Sequence, residues 1–263
     1  MKPEIFVNIS HSHMTAEDLD FLQVQGLHPE LYFSANHIDA LTPPQLQQLA
    51  EGMRTRNFRP IFHGPFYDLN PGAHDSRLRA VARERFTWAL ETAKAFGAPQ
   101  VVLHPGHGPW VLARAFPSWL ERARETLGAV IGKAGELGLR VAFENIYDPD
   151  PNDLAEIARA FPADHVGFCF DVGHFNLFSQ VSMKTWLDTL GGRLFECHLH
   201  DNFGSEDDHI AVGDGSIKYG PLIAWLKAQE KMPLLTLEME QKTHVIKSVL
   251  RVKDWFAPTP AEV

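Results

Sequence analysis

Short runs rich in Val, Ile, Leu and Phe alternate along the whole chain with longer segments whose apolar residues recur at helical spacing. The runs predict eight strands, at 4–9, 30–33, 59–63, 100–104, 140–144, 166–171, 194–200 and 234–238. Several are apolar throughout, as strands covered on both faces must be. Helix signals lie between them. Thr15 and Asp18 form a capping-box pair ahead of Leu19 and Leu22, and Thr42 precedes Pro43 at a helix-start position. Residues 76–96 carry Leu78, Val81, Arg85, Trp88 and Thr92 through an amphipathic pattern, and 119–137 do likewise before Gly138 ends them. Segments 153–161, 183–190, 219–227 and 245–256 complete the alternation. Trp88, Trp119, Trp186 and Trp225 fall in helical segments, where they would pack helices onto a sheet.

Eight βα units in 263 residues predict an α/β fold of the (β/α)8 type, a TIM barrel, as a single domain over 1–256. A doubly wound open sheet is the alternative. Residues 257–263 form a Pro-containing tail with nothing to bury, expected to be flexible.

Composition adds to this picture. With 44% hydrophobic and 22% charged residues the chain reads as soluble and globular. Lys and Arg number 24 against 33 Asp and Glu, a formal charge of -9, which disfavours a protein living by nonspecific phosphate contacts. Cys169 and Cys197, the two cysteines, each sit in an apolar stretch as buried thiols do. The first ten residues hold too short an apolar run for a signal peptide, and no run is long enough to cross a bilayer. A cytoplasmic protein with no membrane partner is expected.

The 14 histidines change the picture most, because many stand where predicted strands end. The third strand ends His63-Gly64-Pro65, the fourth His104-Pro105-Gly106, the fifth Glu144-Asn145 and the sixth Asp171-Val172-Gly173-His174. The seventh ends His198-Leu199-His200-Asp201-Asn202, its loop carries Asp207-Asp208-His209, and the eighth ends Leu237-Glu238. Strand ends form the chemical face of such a barrel. Carboxylates and imidazoles gathered there are costly to bury unless they pair or bind cations. Imidazole nitrogen with carboxylate oxygen suits zinc, manganese or iron, and the lack of a Cys pair removes the thiolate type of structural zinc site.

On these residues, together with Gly213-Asp214-Gly215-Ser216-Ile217, the chain resembles the xylose isomerase-like barrel superfamily over nearly its whole length. That superfamily includes sugar phosphate isomerases and epimerases and the endonuclease IV type of apurinic-site endonuclease. The isomerase branch implies one divalent ion, zinc or manganese, held by Glu144, Asp171, His198 and Glu238. The endonuclease branch implies three, adding His63, His104, His174, Asp207 and His209 as ligands. All nine residues are present. That branch also favours an Arg in the loop after the second strand, where this chain reads Ser34-Ala35-Asn36-His37.

Two reactions follow. An isomerase or epimerase of a small sugar, sugar phosphate or related polyhydroxy compound would use Glu144 and Glu238 as acid and base around a metal-stabilised enediolate. A trinuclear-zinc phosphodiesterase would instead take DNA as partner. One ion against Glu144, Asp171 and Glu238 leaves about -1, whereas three ions against those and Asp207 leave about +2, attractive to phosphate. The acidic balance and the absent Arg favour the sugar enzyme; a silent metal-sensing barrel is a third reading. His11 and His13 are expected to line a substrate pocket, with plain surface exposure as the alternative, and Phe66 and Tyr67 to wall it or stack on a base; His107 and Lys218 are candidates to hold a substrate phosphate, although a surface role is the stronger reading for each. Gly213-Asp214-Gly215 reads as a turn, since no Lys-Ser or Lys-Thr follows it.

Overall fold

Ile5, Phe6 and Val7 pair in parallel with Leu235, Thr236 and Leu237, so the last strand returns to the first and the sheet closes. Closure excludes the open doubly wound sheet. The computed structural model describes residues 3–111 and 113–257, and the predicted tail lies outside them apart from Ala257. In order the elements are β1 (Ile5–Ser10), α1 (Ala16–Gln25), β2 (His28–Tyr32), α2 (Ala35–Ala40), α3 (Pro43–Thr55), β3 (Ile61–His63), α4 (Ser76–Phe96), β4 (Gln100–Leu103) and α5 (Phe116–Leu137). There follow β5 (Arg140–Glu144), α6 (Asn152–Ala158), β6 (Val166–Asp171), α7 (Val172–Phe178), α8 (Met183–Leu190), β7 (Leu194–Leu199), α9 (Gly220–Lys227), β8 (Leu234–Leu237) and α10 (Lys242–Trp255). All eight strands run parallel in sequence order, a (β/α)8 barrel.

Strand alternation divides the residues between two environments. One set, including Leu31, Phe62, Val101, Val141, Phe143, Phe170 and Leu199, joins helix residues such as Phe86, Leu90, Leu127 and Trp186 in one continuous apolar core. Each such fully buried side chain contributes about 1.5–3 kcal/mol. The other set faces the lumen and is unusually polar. Gln100 on β4 donates to Glu196 on β7 at 2.6 Å, and these strands are not neighbours, so the bond crosses the barrel interior. Among the described residues no helix is long and apolar enough to cross a membrane.

The helix signals act as expected at α1, where Thr15 accepts from the Asp18 amide and the Asp18 side chain accepts from the Thr15 amide. At α3 the Gln45 side chain accepts from the Thr42 amide at 2.9 Å. Gly97 and Gly138, both with positive φ, end α4 and α5. Several boundaries differ from those predicted. Strand β2 starts at His28, before Pro29, and β3 starts at Ile61, after Pro60. Helix α5 begins three residues earlier than predicted, α6 stops at Ala158, and α10 begins at Lys242. Two short helices, α2 and α7, fall in stretches read as loops.

Candidate metal centre

Period-two alternation aims Glu144, Asp171 and His198 into the barrel mouth from three adjacent strands, and Glu238 follows the end of β8. His198 Nδ1 lies 3.3 Å from Glu238 Oε1, 3.6 Å from Glu144 Oε2 and 3.7 Å from Asp171 Oδ2. The ring is fully buried, yet this nitrogen makes no hydrogen bond. It points between three carboxylates rather than at one of them. A buried nitrogen without a partner normally carries a desolvation penalty, and three hard oxygen donors plus one imidazole are a donor set that a divalent cation satisfies. The four residues therefore fit the ion that the resemblance implies.

The five further residues gather beside this set. Glu144 Oε2 stands 3.0 Å from His63 Nε2 and 3.2 Å from His104 Nε2, while Oε1 stands 3.3 Å from His174 Nδ1. Asp207 Oδ2 is 3.0 Å from His209 Nε2 and 3.4 Å from His174 Nε2. Helix α7 brings His174 in. Asp171 caps it, its side chain accepting from the His174 amide at 2.6 Å, so one residue both ends β6 and starts the helix.

The electrostatics follow from this crowding. Burial alone would raise Glu144, but His104 and His198 hold it well below the usual carboxylate range. Burial opposes charge on His63, yet its bond to Glu144 lifts it to about 9. His209 likewise stands at about 9 because Asp207 outweighs burial. Asp171 is brought down to about 2 by His174 and His200 against the effect of burial. Burial raises Glu238 despite His198 nearby.

A cavity of about 810 Å³ opens over the cluster, walled by Tyr32, Phe66, Tyr67, Trp110 and Tyr147, with Glu144 and Glu238 among its lining. Among the described residues no Lys or Arg lines it. Phe66 stacks on His104 with ring centroids 4.4 Å apart, and Tyr67 stands exposed at the rim. His107 lines the cavity, but its nitrogens lie 3.7 Å from Asp148 and 3.5 Å from Asp153, carboxylates that would repel a phosphate. His13 lines an adjoining cleft that shares Glu238 and His209. His11 lines neither; its ring stacks on Phe33. Lys218 is not brought to the cavity. It lines a separate groove with Trp255 of α10, while Tyr219, the next residue, anchors the loop by donating to the His200 carbonyl at 2.5 Å.

Sequence reasoning gave no role to His200, which is completely buried with Nε2 3.2 Å from both Asp171 oxygens. Its ring stacks on His209 at 4.0 Å. Strand alternation was the available signal, since residues 196, 198 and 200 share a side. Asp201 was also passed over. Its carboxylate accepts from the Gly213 and Ile217 amides and so holds the Gly213-Asp214-Gly215 turn in place.

A model of the xylose isomerase-like TIM barrel family matches residues 16–258, and the chain belongs to that family. An uncharacterised protein of Methanocaldococcus jannaschii, MJ1311, is 26% identical over 223 residues, covering 82% of this chain and 76% of its own. A probable endonuclease 4 of Mycoplasma pneumoniae is 24% identical over 254 residues, covering 86% and 87%. Among solved structures, a D-tagatose 3-epimerase-like protein superposes with a TM-score of 0.80 at 22% identity over 97% of both chains, a likeness of fold. The TTHB071 protein of Thermus thermophilus, from a ZnCl2 soak, gives 0.78 at 28% identity over 97% of this chain and 100% of its own.

Proposed function

We propose that the protein is a divalent-metal-dependent isomerase or epimerase of a small sugar or related polyhydroxy compound. The observation that carries this reading is the convergence of Glu144, Asp171 and Glu238 on the partnerless Nδ1 of His198 beneath an open cavity. Those four residues would hold the ion, zinc or manganese. When bound, such an ion supplies Lewis-acid polarisation of a carbonyl and its neighbouring hydroxyl. Glu144 and Glu238 sit on opposite flanks of His198, from β5 and beyond β8, so one carboxylate oxygen can take a carbon-bound proton while the other returns one from a different direction. The aromatic walls would hold the substrate's carbon frame over these two carboxylates. A lining without Lys or Arg suits an uncharged polyol better than a sugar phosphate, and the likeness to a D-tagatose 3-epimerase-like structure supports the same substrate class.

A second reading rests on a separate observation. Three imidazoles crowd Glu144, and His174 and His209 share Asp207, which would let Glu144 bridge two ions and the others hold a third. That arrangement suits a phosphodiesterase of the endonuclease IV type. The deciding experiment follows exchange of carbon-bound protons with deuterated solvent by NMR across ketoses, aldoses and their phosphates, beside cleavage of a duplex carrying one abasic site. Metal-dependent exchange on an unphosphorylated sugar is expected. Strand cleavage lost in His104→Ala and His174→Ala, with no exchange on any sugar, would replace the first reading by the second.

A further inference from the structure

Below the metal-ligand cluster, inside the barrel, lie two carboxylates that the reaction does not use. Glu30 on β2 and Glu196 on β7 are both completely buried. Their surroundings differ. Glu196 accepts from the Gln100 amide at 2.6 Å and from the Thr236 hydroxyl at 2.5 Å, so both of its oxygens have a donor. Neither oxygen of Glu30 has a hydrogen-bond partner. A buried, unpaired carboxylate is among the least favourable groups a folded chain can hold, so its position needs a reason. Among the described residues, the one basic nitrogen within 4.0 Å of Glu30 is Nε2 of His198, 3.4 Å from Oε2.

His198 therefore stands between two sets of carboxylates. Its Nδ1 faces Glu144, Asp171 and Glu238, while its Nε2 faces inward to Glu30 and, at 3.7 Å, Glu196. An imidazole that gives one nitrogen to a metal must carry its proton on the other, and that N–H requires an acceptor. Glu196 stands farther off, and each of its oxygens already accepts one hydrogen bond. Glu30 is free, and it reaches His198 across the lumen from a strand that is not adjacent to β7.

We propose that Glu30 is a positioning residue for His198, accepting the Nε2 proton so that the ring keeps the Nε2–H tautomer and presents Nδ1 to the cation. This rests on the metal-centre reading above. The contact, 3.4 Å long, accounts for an acidic residue buried between Pro29 and Leu31 in β2. The arrangement is a carboxylate–histidine–metal relay in which removal of the carboxylate typically weakens metal binding ~10- to 100-fold.

The test compares zinc affinity of wild type and Glu30→Gln by competition with a chromophoric chelator, together with melting of both proteins after metal removal. Glu30→Gln keeps the shape and removes the carboxylate. Zinc binding is expected to weaken ~10- to 100-fold, while the metal-free variant melts no lower than wild type. Zinc affinities within about twofold of each other would overturn the inference, as would a metal-free variant destabilised with unchanged affinity. Should Glu30→Gln fail to fold, Glu30→Asp retains the carboxylate at shorter reach and is expected to bind zinc more weakly than wild type; equal affinity again overturns the inference. A direct readout is the 15N spectrum of histidine-labelled, zinc-loaded wild type, where His198 should show the Nε2–H tautomer and an Nδ1–H tautomer would refute the assignment. Failure of wild type itself to bind zinc would remove the metal centre, and with it this inference; loss of the Glu30 effect alone leaves the metal centre standing.

Discussion

Gly173 and His200 touch so closely that a Cβ on Gly173 would overlap the imidazole ring. The pair fixes where His200 can stand, and through it the Nε2 contact at 3.2 Å to both oxygens of Asp171. Gly173→Ala must therefore move either helix α7 or the ring. Overpacking of this kind costs about 1–3 kcal/mol. The expected outcome is a lower urea midpoint with an unchanged m-value and weaker zinc binding. A variant as stable as wild type would mean that the ring yields freely.

Removing metal should lower the melting temperature, because an ion bound by the folded state alone stabilises by mass action, about 2.7 kcal/mol at one hundred times its dissociation constant. For a chain of this size that corresponds to roughly 5–10 °C. Differential scanning calorimetry before and after chelation checks it, with added zinc restoring the original curve. Identical curves with metal removal verified by elemental analysis would count against a site of useful affinity.

The pH dependence of the metal-free protein has a defined sign. His63 and His209 stand at about 9 when folded, above their ordinary 6.5. A raised folded value means that their stabilisation is complete below 6.5 and lost as pH rises towards 9. Burial lowers His104 instead, so it does not add to that loss. The metal-free protein should melt progressively lower from pH 6.5 to 9. An ion held by Glu144 would compete with the proton that His63 shares with that carboxylate, so zinc affinity should rise over that interval; titration calorimetry showing affinity flat with pH would contradict the pairing.

Lys218 lines a groove that shares no residue with the cavity. Lys218→Ala is expected to leave kcat/KM within about twofold, as surface substitutions away from a site do. A tenfold fall would show that this loop reaches the substrate.

The eight strands and the nine clustered residues were legible because a parallel sheet must be apolar on the helix side and because strand ends mark the chemical face. What escaped has identifiable causes. Pro29 and Pro60 obscured the true starts of β2 and β3, since proline lacks the ladder donor. Helix α7 has only the Asp171 cap to announce it, in a segment opening Val172-Gly173 that favours no helix. Glu30 sits beside proline in a strand whose predicted start it marked, and nothing local reveals that its partner is on β7. His200 was hidden by its neighbours in the phrase His198-Leu199-His200-Asp201-Asn202, although alternation alone puts it beside His198. Lys218 lines one groove with Gly213 of the turn, and that groove is not the cavity over the cluster, which adjacency along the chain cannot show.

The most direct measurement is anomalous diffraction at the zinc edge from crystals of zinc-loaded protein. The expected result is a fully occupied ion within about 2.0–2.2 Å of His198 Nδ1 and of oxygens from Glu144, Asp171 and Glu238. Zinc found elsewhere in the barrel mouth, with His198 Nδ1 unligated at full loading, would contradict the assignment of these four residues as the metal centre.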